Sequence, residues 1–339
     1  MAPRKLAILI ALAISCITGI ILKREIQNLF QEENAVQVSR TMATGLQQKI
    51  TSERNSRPIS LPTKHGESRY GDVVHGQNHI IIYNSVPKCG SRTFVDTSRR
   101  LFRNRSIKFN GYSIRKESKP ESEKARSIGE IRRLIKGAKR PAYVQGHGLF
   151  LPFHHQLHNP QPVYINLIRD PVSRMVSAFY FNRLGDGLLE RGMLSEKRNN
   201  MSIEECILDG HYECNRAGMY TNIFCGFNPK CGKDATWALE QAKSNIDKYY
   251  TFIGITEEYE ASLRVLEHLM PDMYNGLTEF YLSRINKTNS LTTLSKTANK
   301  KPLSQELKNT ATERYAVDYE LYNFIYDRHR KLKARFGID

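Results

Sequence analysis

The sequence is short of acidic residues, of cysteine and of tryptophan. Its 339 residues include six cysteines and one tryptophan, and 34 Asp and Glu stand against 51 Lys and Arg, a formal net charge of +17. So few cysteines in a chain of this length exclude a disulfide-dense miniprotein, and 21 glycines exclude a collagen-like repeat. With 40% hydrophobic residues the chain is not a disordered one, and it can bury a sizeable core. The surplus of positive charge indicates a polyanionic partner or an anionic membrane surface.

An apolar run near the N-terminus predicts a membrane anchor. Residues 6–22 are apolar or small and lie between Arg4-Lys5 and Lys23-Arg24. A helix spans a bilayer with about 17 to 25 such residues. Equal charge on the flanks does not orient the span, but the short tail favours a cytoplasmic segment 1–5 and a lumenal body. A cleaved signal peptide is the alternative, and the positive residues directly after the run favour the anchor.

The rest of the chain divides into a polar stem over residues 23–76 and a lumenal domain over residues 77–339. A lumenal location agrees with three N-x-[ST] triplets that predict N-glycosylation. They begin at Asn104, Asn200 and Asn286.

Four of the six cysteines lie within 26 residues and allow three disulfide pairings. The short local loops favour the pairs Cys206–Cys214 and Cys225–Cys231. A zinc site is the alternative, but the cluster has no C-x-x-C pair.

Strands alternate with helices along the domain. Short apolar runs predict buried strands from Ile80 and over residues 142–145, 163–168 and 251–255. Helical patterns cover residues 172–181, 236–246, 257–270 and 311–336. This alternation predicts an α/β domain with a mainly parallel central sheet flanked by helices. Four tyrosines on one face of the last helix are interpreted as core packing: Tyr315, Tyr319, Tyr322 and Tyr326.

A polar loop follows the first predicted strand and leads into a helix. Residues 85–93 read SVPKCGSRT. A tight loop before a helix N-terminus binds anions, because backbone N–H groups and the helix dipole point at the ligand. Lys88 can reach the anion as a point charge, while Ser91 and Thr93 can donate hydroxyls. The loop is not a Walker A motif, whose lysine comes late. A plain strand–turn–helix with a surface lysine is the alternative.

A second such junction follows the strand over residues 163–168. Residues 168–177 read IRDPVSRMVS. Arg169 leaves the strand, and Ser177 lies two turns into the next helix. Together they can hold a second phosphate, because arginine offers a fork of donors. The alternative is a helix cap made by Asp170 and Arg174, which we do not assign as ligands.

Together the two junctions resemble those of sulfotransferases that use 3′-phosphoadenosine 5′-phosphosulfate (PAPS). The shared patterns are P-K-x-G-S-x-T and I-R-D-P-x-x-R-x-x-S. From residue 80 to the C-terminus the chain resembles the heparan sulfate and uronyl 2-O-sulfotransferases, and the uronyl (dermatan/chondroitin) branch and the insect Pipe type most of all. The stretches that carry this resemblance are PVYINLIRDPVSRMVSAFYFNRLGD, ECILDGHYEC, IFCGFNPKC, WALEQAK, FIGITEEYE and LKARFG.

The resemblance implies a P-loop-like sulfotransferase fold, in a single domain behind the anchor, and a Golgi membrane location. It implies that Arg169 and Ser177 bind the 3′-phosphate of PAPS. It also implies that the first loop binds the 5′-phosphosulfate. This loop comprises Lys88, Cys89, Gly90, Ser91, Arg92 and Thr93. The cysteine spacing also matches the two local disulfides, and a homotrimer is expected from the heparan sulfate enzymes.

The same resemblance makes His147, in the stretch YVQGHG, the catalytic base. A sugar hydroxyl is a poor nucleophile until a neighbour removes its proton, and histidine titrates near working pH. Lys88 would neutralise charge on the leaving phosphate oxygen, and this scheme requires no metal. Two residues depart from the relatives' pattern: Gln145 replaces a second histidine of the heparan sulfate enzymes, and Ser85 replaces an arginine.

The acceptor is expected to be an acidic glycosaminoglycan. Residues 92–140 contain 16 Lys and Arg and five Asp and Glu, a net charge of +11. Such a field attracts a polyanionic chain. Further candidate sugar contacts are Arg183, Arg191 and Lys296.

We therefore expect transfer of a sulfuryl group to the 2-O position of iduronate or glucuronate in dermatan or chondroitin sulfate. The alternatives are a heparan sulfate or glycoprotein-glycan 2-O-sulfotransferase, and an inactive glycosaminoglycan-binding homologue. A nucleic-acid partner is not expected, because the anchor, sequons and cysteines indicate the secretory pathway and no nucleic-acid-binding motif is present.

Overall fold

Five short strands form a parallel sheet at the centre of the domain. The computed structural model describes residues 68–105, 110–114, 121–153, 162–185, 200–285, 297 and 300–339, with side chains described outside 106–127. The strands are β1 (Ile80–Asn84), β2 (Asn110–Ile114), β3 (Ala142–Gly146), β4 (Val163–Ile168) and β5 (Tyr250–Ile255). Their order is β2-β3-β1-β4-β5, and every neighbouring pair is parallel. The predicted parallel α/β architecture is confirmed.

Helices connect and cover the strands, as parallel strands require. The described helices are α1 (Ser91–Asn104), α2 (Glu121–Gly137), α3 (Pro171–Leu184), α4 (Ile203–Leu208), α5 (Met219–Cys225), α6 (Ala235–Tyr249), α7 (Tyr259–Leu269), α8 (Pro271–Tyr274), α9 (Leu277–Ile285), α10 (Gln305–Arg314) and α11 (Ala316–Phe336). Short 3₁₀ turns cover Pro229–Gly232 and Thr256–Glu258.

Strand β1 is buried on both faces, which explains its unbroken apolar sequence. Successive side chains of a strand point to opposite faces. Ile80 and Ile82 therefore pack in one apolar cluster, with residues of α6 and α11. Ile81 and Tyr83 pack in a second cluster, with residues of α1 and α7. The helices on both faces fix the sheet so that only the strand ends are available for a site.

Two departures from the sequence-based elements concern the sheet and the last predicted helix. Strand β2 was not predicted, because its sequence NGYSI is largely polar and only its pairing with β3 makes it a strand. The helix predicted over residues 311–336 is two helices, which meet at Tyr315. Tyr315 is buried, and its hydroxyl accepts a hydrogen bond from the backbone N–H of Arg216. The buried Tyr315 side chain therefore anchors the junction between the two helices.

The folded domain begins before the predicted boundary at residue 77. The backbone N–H groups of Arg69 and Gly71 donate to the carbonyl oxygens of Asp247 and Thr251 at 2.8 and 2.9 Å. Residues 68–76, predicted as stem, are thus part of the domain. The predicted tail, anchor and remaining stem lie outside the described residues. Within the described part of the chain, no helix has the length and apolar character to cross a bilayer.

Two disulfides tie the segment after α3 together. Cys206 bonds to Cys214, and Cys225 bonds to Cys231. The first links α4 to the loop after it, and the second links the end of α5 to the following 3₁₀ turn. Both predicted pairings are confirmed, and the zinc alternative is wrong because all four sulfurs are used.

Candidate active site

The two predicted phosphate loops and His147 lie at one edge of the sheet. All five strands are parallel, so their carboxyl ends share an edge. After β1 the chain crosses to β2 in one half of the sheet, and after β4 it crosses to β5 in the other half. Ligands of open α/β sheets bind at such a switch point. The loops that contain Lys88 and Arg169 follow β1 and β4, on either side of it.

The loop after β1 has the backbone of an anion cradle. Lys88 and Gly90 both have left-handed backbones, with φ of 68° and 74°. A Cβ added to Gly90 would lie 3.4 Å from the ring of Tyr259, and the positive φ favours glycine there as well. Helix α1 begins directly afterwards at Ser91, with no acidic residue in its first turn. Its N-terminal N–H groups therefore keep a positive potential that suits a phosphate or sulfate.

Two cations of this loop lie against one aromatic ring. The Nζ atom of Lys88 is 3.4 Å from the centroid of the Phe181 ring, and the Cζ atom of Arg92 is 5.3 Å from it. Both distances are within cation–π range. Phe181 belongs to α3, so this contact joins the first loop to the helix that follows the second. The sequence did not identify Phe181, because its partners lie 89 and 93 residues earlier in the chain.

Cys89 contributes to the cradle through its backbone only. Its side chain is fully buried, and burial raises the pKa of the thiol to about 12. The sulfur lies 3.8 Å from the hydroxyl oxygen of Tyr220. The neutral thiol therefore packs inside the protein, and only the backbone N–H of Cys89 remains part of the predicted anion site.

The loop after β4 places an arginine beside a carboxylate. The side chain of Arg169 is 27% exposed, and its Nε atom lies 3.7 Å from Oε1 of Glu257. Asp170 caps α3, since its carboxylate accepts from the backbone N–H of Ser173 at 2.7 Å. Ser177, the other predicted 3′-phosphate ligand, lies in the second turn of α3 and is buried.

Two residues that the sequence did not identify connect the two loops. The hydroxyl of Thr256, just after β5, lies 2.7 Å from the carbonyl oxygen of Ile168 and 3.4 Å from that of Cys89. The hydroxyl of Tyr220 donates to the carbonyl oxygen of Arg169 and also approaches Cys89. Each connection joins segments far apart in the chain, so no local pattern could reveal it. Together they fix the distance between the two predicted phosphate sites.

His147 lies at the same edge, directly after β3. Gly146 pairs with Asn84 at the end of β1, which brings His147 next to Ser85. The Nδ1 atom of His147 is 2.9 Å from the carbonyl oxygen of Ser85 and 3.1 Å from its hydroxyl. A carbonyl oxygen can only accept, so Nδ1 carries the proton and the lone pair of the imidazole is on Nε2. This tautomer is the one that a base acting through Nε2 needs.

Arg183 is not placed for sugar binding. Its guanidinium forms an ion pair with Glu213 at 3.0 Å, and the two side chains are only 7% and 4% exposed. It also stacks on the ring of Phe179 at 3.5 Å. A buried, paired arginine is a poor ligand for an external sugar, so we do not retain it as a substrate contact.

Only some of the predicted glycosylation sites and sugar contacts lie in the described part of the chain. Asn104 and Asn200 are exposed, as glycosylation sites must be. Asn286, Arg191 and Lys296 lie outside the described residues. Among the residues with described positions, no group of three or more His, Cys, Asp or Glu side chains is arranged to hold a metal ion.

The chain is similar in sequence to known proteins. Residues 72–326 match the model of the Sulfotransferase family. Uronyl 2-sulfotransferase of Homo sapiens is 32% identical over 266 residues, which cover 76% of this chain and 64% of that protein. Heparan sulfate 2-O-sulfotransferase 1 of Mus musculus is 28% identical over 344 residues, which cover 98% of this chain and 91% of that protein.

A crystal structure of a mouse sulfotransferase complexed with PAP overlaps more weakly. Its TM-score is 0.38 at 13% identity, over 78% of this chain and 90% of that one, and the family assignment does not depend on it. The family match and the 32% identity suffice: the chain belongs to the sulfotransferase family.

Proposed function

We propose that this protein transfers a sulfuryl group from PAPS to the 2-O position of a uronic acid in a glycosaminoglycan of the dermatan/chondroitin type. One observation carries the proposal. The Lys88 loop, His147 and Arg169 follow three adjacent strands at one sheet edge. The uronyl and heparan sulfate 2-O-sulfotransferases among the relatives support the choice of acceptor.

The residues of the two loops fit a donor with two anionic groups. The cradle from Lys88 to Thr93 would hold the 5′-phosphosulfate, because its glycine allows the backbone to approach the ligand closely. Arg169 and Ser177 would hold the 3′-phosphate. PAPS supplies the sulfuryl group when it is bound.

His147 acts as the base in this proposal. With the proton on Nδ1 held by the carbonyl oxygen of Ser85, Nε2 can accept the proton of the acceptor hydroxyl. The ring becomes a cation, and the same carbonyl oxygen stabilises the Nδ1–H. Ser85 therefore orients the base at the position where the relatives' pattern has an arginine.

Lys88 supplies positive charge on the opposite side of the reaction. Its ammonium would neutralise charge on the leaving phosphate oxygen, a preorganised electrostatic contribution. The ring of Phe181 limits where that ammonium can lie. This pairing of an imidazole base with a fixed cation is what in-line transfer between oxygens requires.

The acceptor would be attracted by the basic segment between the first loop and His147. Several of its described basic side chains are exposed: Arg99, Arg103, Arg105, Arg132, Arg133, Lys136 and Lys139. A dense positive surface raises the local concentration of a polyanionic chain and makes the association salt-dependent.

A heparan sulfate or glycoprotein-glycan acceptor is the alternative, favoured by the relative that matches 98% of the chain. Anchoring in the Golgi membrane as a type II protein and assembly into a homotrimer are part of the proposal.

The test is transfer of radiolabelled sulfate from PAPS to a panel of desulfated glycosaminoglycans. The wild-type protein should label at least one uronate-containing chain, and Lys88→Ala should not. The absence of transfer to every acceptor would favour the inactive glycan-binding homologue.

A further inference from the structure

The stretch FIGITEEYE contains an acidic pair that the proposed reaction does not use. Glu257 and Glu258 form, with Thr256, the 3₁₀ turn at the end of β5. This turn lies at the same sheet edge as the two phosphate loops. Although adjacent in sequence, the two glutamates make entirely different contacts.

Glu257 is held by groups from two segments, the loop after β4 and helix α11. Its Oε1 atom accepts from the backbone N–H of Asp170 at 3.1 Å and lies 3.7 Å from Nε of Arg169. Its Oε2 atom accepts from the hydroxyl of Tyr322 on α11 at 3.4 Å. Burial raises the pKa of this carboxyl. A carboxylate fixed at both oxygens has little freedom to move.

Arg169 approaches this carboxylate with one edge of its guanidinium. Nε is its closest nitrogen, and within the described residues that buried atom makes no hydrogen bond. The two Nη atoms form the fork that binds phosphate. The carboxylate therefore attracts the Nε edge by charge alone, which limits the orientations that the fork can adopt.

The tyrosine face of α11 supports the same region. Tyr319 donates to Asp170 at 2.6 Å, and Tyr326 donates to Glu258 at 2.6 Å. With Tyr322 on Glu257, three tyrosines of one helix each hold one acidic residue of the loops after β4 and β5. The predicted role in core packing is incomplete for these three, because Tyr319 also anchors the loop that carries Arg169, and Tyr322 and Tyr326 anchor the turn after β5.

We propose that Glu257 is a positioning residue that acts through Arg169 to orient its guanidinium towards the 3′-phosphate of the donor. This inference rests on the proposed function, since it needs a donor with that phosphate. Glu257 does not itself touch the donor.

Calorimetric titration with two nucleotides tests the inference. PAP carries the 3′-phosphate, and adenosine 5′-phosphate lacks it. Glu257→Ala should weaken PAP binding about tenfold, the lower end of what is lost when the partner that orients a ligating side chain is removed. Adenosine 5′-phosphate should bind within about twofold of wild type, because it does not use Arg169. Glu257→Gln, which keeps an acceptor for the Asp170 N–H, should recover part of the PAP affinity.

Glu258 provides the matched control. Its carboxylate pairs with Lys333 at 2.9 Å and accepts from Tyr326, and neither contact reaches a phosphate loop. Glu258→Ala should leave the affinities for both nucleotides unchanged. Wild-type protein that fails to bind PAP would overturn the proposed function. Wild-type protein that binds PAP, with Glu257→Ala binding it equally well or losing both nucleotides to the same extent, would overturn the inference alone. If the alanine variant does not fold, unchanged PAP affinity in Glu257→Gln decides against it.

Discussion

Replacing His147 by two different residues separates a catalytic base from a structural histidine. His147→Ala removes both the hydrogen bond from Nδ1 to the carbonyl oxygen of Ser85 and the lone pair on Nε2. His147→Asn places an amide N–H where Nδ1–H lies, so it keeps the hydrogen bond and has no base. The pair of variants therefore tests which ring nitrogen matters.

The size of the effect follows from what each atom does. A positioned general base contributes about 10²- to 10⁴-fold to the rate, roughly 3 to 5 kcal/mol of activation free energy. The hydrogen bond from Nδ1 is worth about 1 kcal/mol. We expect both variants to lose at least about 100-fold in kcat, and only His147→Ala to lose thermal stability.

The assay is initial-rate sulfate transfer at saturating PAPS and acceptor, with PAP binding measured in parallel. Both variants should still bind PAP, because His147 lies after β3 and outside the two phosphate loops. An Asn variant with near wild-type turnover would refute the reasoning, since the imidazole would then act only through its hydrogen bond to Ser85.

Three further predictions concern residues around the site. Phe181→Leu removes the ring next to Lys88 and should lower kcat/KM for PAPS about fivefold, as expected for roughly 1 kcal/mol of cation–π energy. Phe181→Tyr keeps an aromatic ring and should be close to wild type. Equal losses in both variants would contradict the cation–π contact. Thr256→Val keeps the shape but loses the hydroxyl that reaches Ile168, so calorimetry should find Tm lower by about 2–4 °C, and an unchanged Tm would argue against the connection. Burial lowers the pKa of His329 to about 4, below the ordinary 6.5. Its contribution to stability is therefore lost as pH falls from about 6.5 towards 4. Urea unfolding of His329→Gln should show a shallower loss over that range, and identical slopes would contradict the assignment.

Local sequence was sufficient wherever one strand or one loop determines the structure. Strand β4 has the predicted bounds because VYINLI is buried on both faces. Such a strand is recognisable from its own mostly apolar sequence. The Lys88 loop was identifiable because its lysine, glycine and hydroxyls lie within six residues. Both disulfides close short loops, so few pairings competed.

Contacts between distant segments could not be predicted. Thr256 reaches Ile168 across 88 residues, and Tyr220 reaches Arg169 across 51. Arg183 was predicted to contact sugar because it follows the second phosphate motif. It instead forms a buried ion pair with Glu213, 30 residues away. In each case the identity of the partner depends on how helices pack on the sheet, which no pattern in the chain encodes locally.

The uronate 2-hydroxyl as acceptor is the central claim, and disaccharide analysis of the products tests it most directly. The protein would be incubated with PAPS and with desulfated dermatan, chondroitin and heparan chains, and the products would be digested and separated. We expect new sulfate at the 2-O position of the uronic acid, and most of it in dermatan or chondroitin. Sulfate found only on the hexosamine, or on no chain at all, would contradict the account.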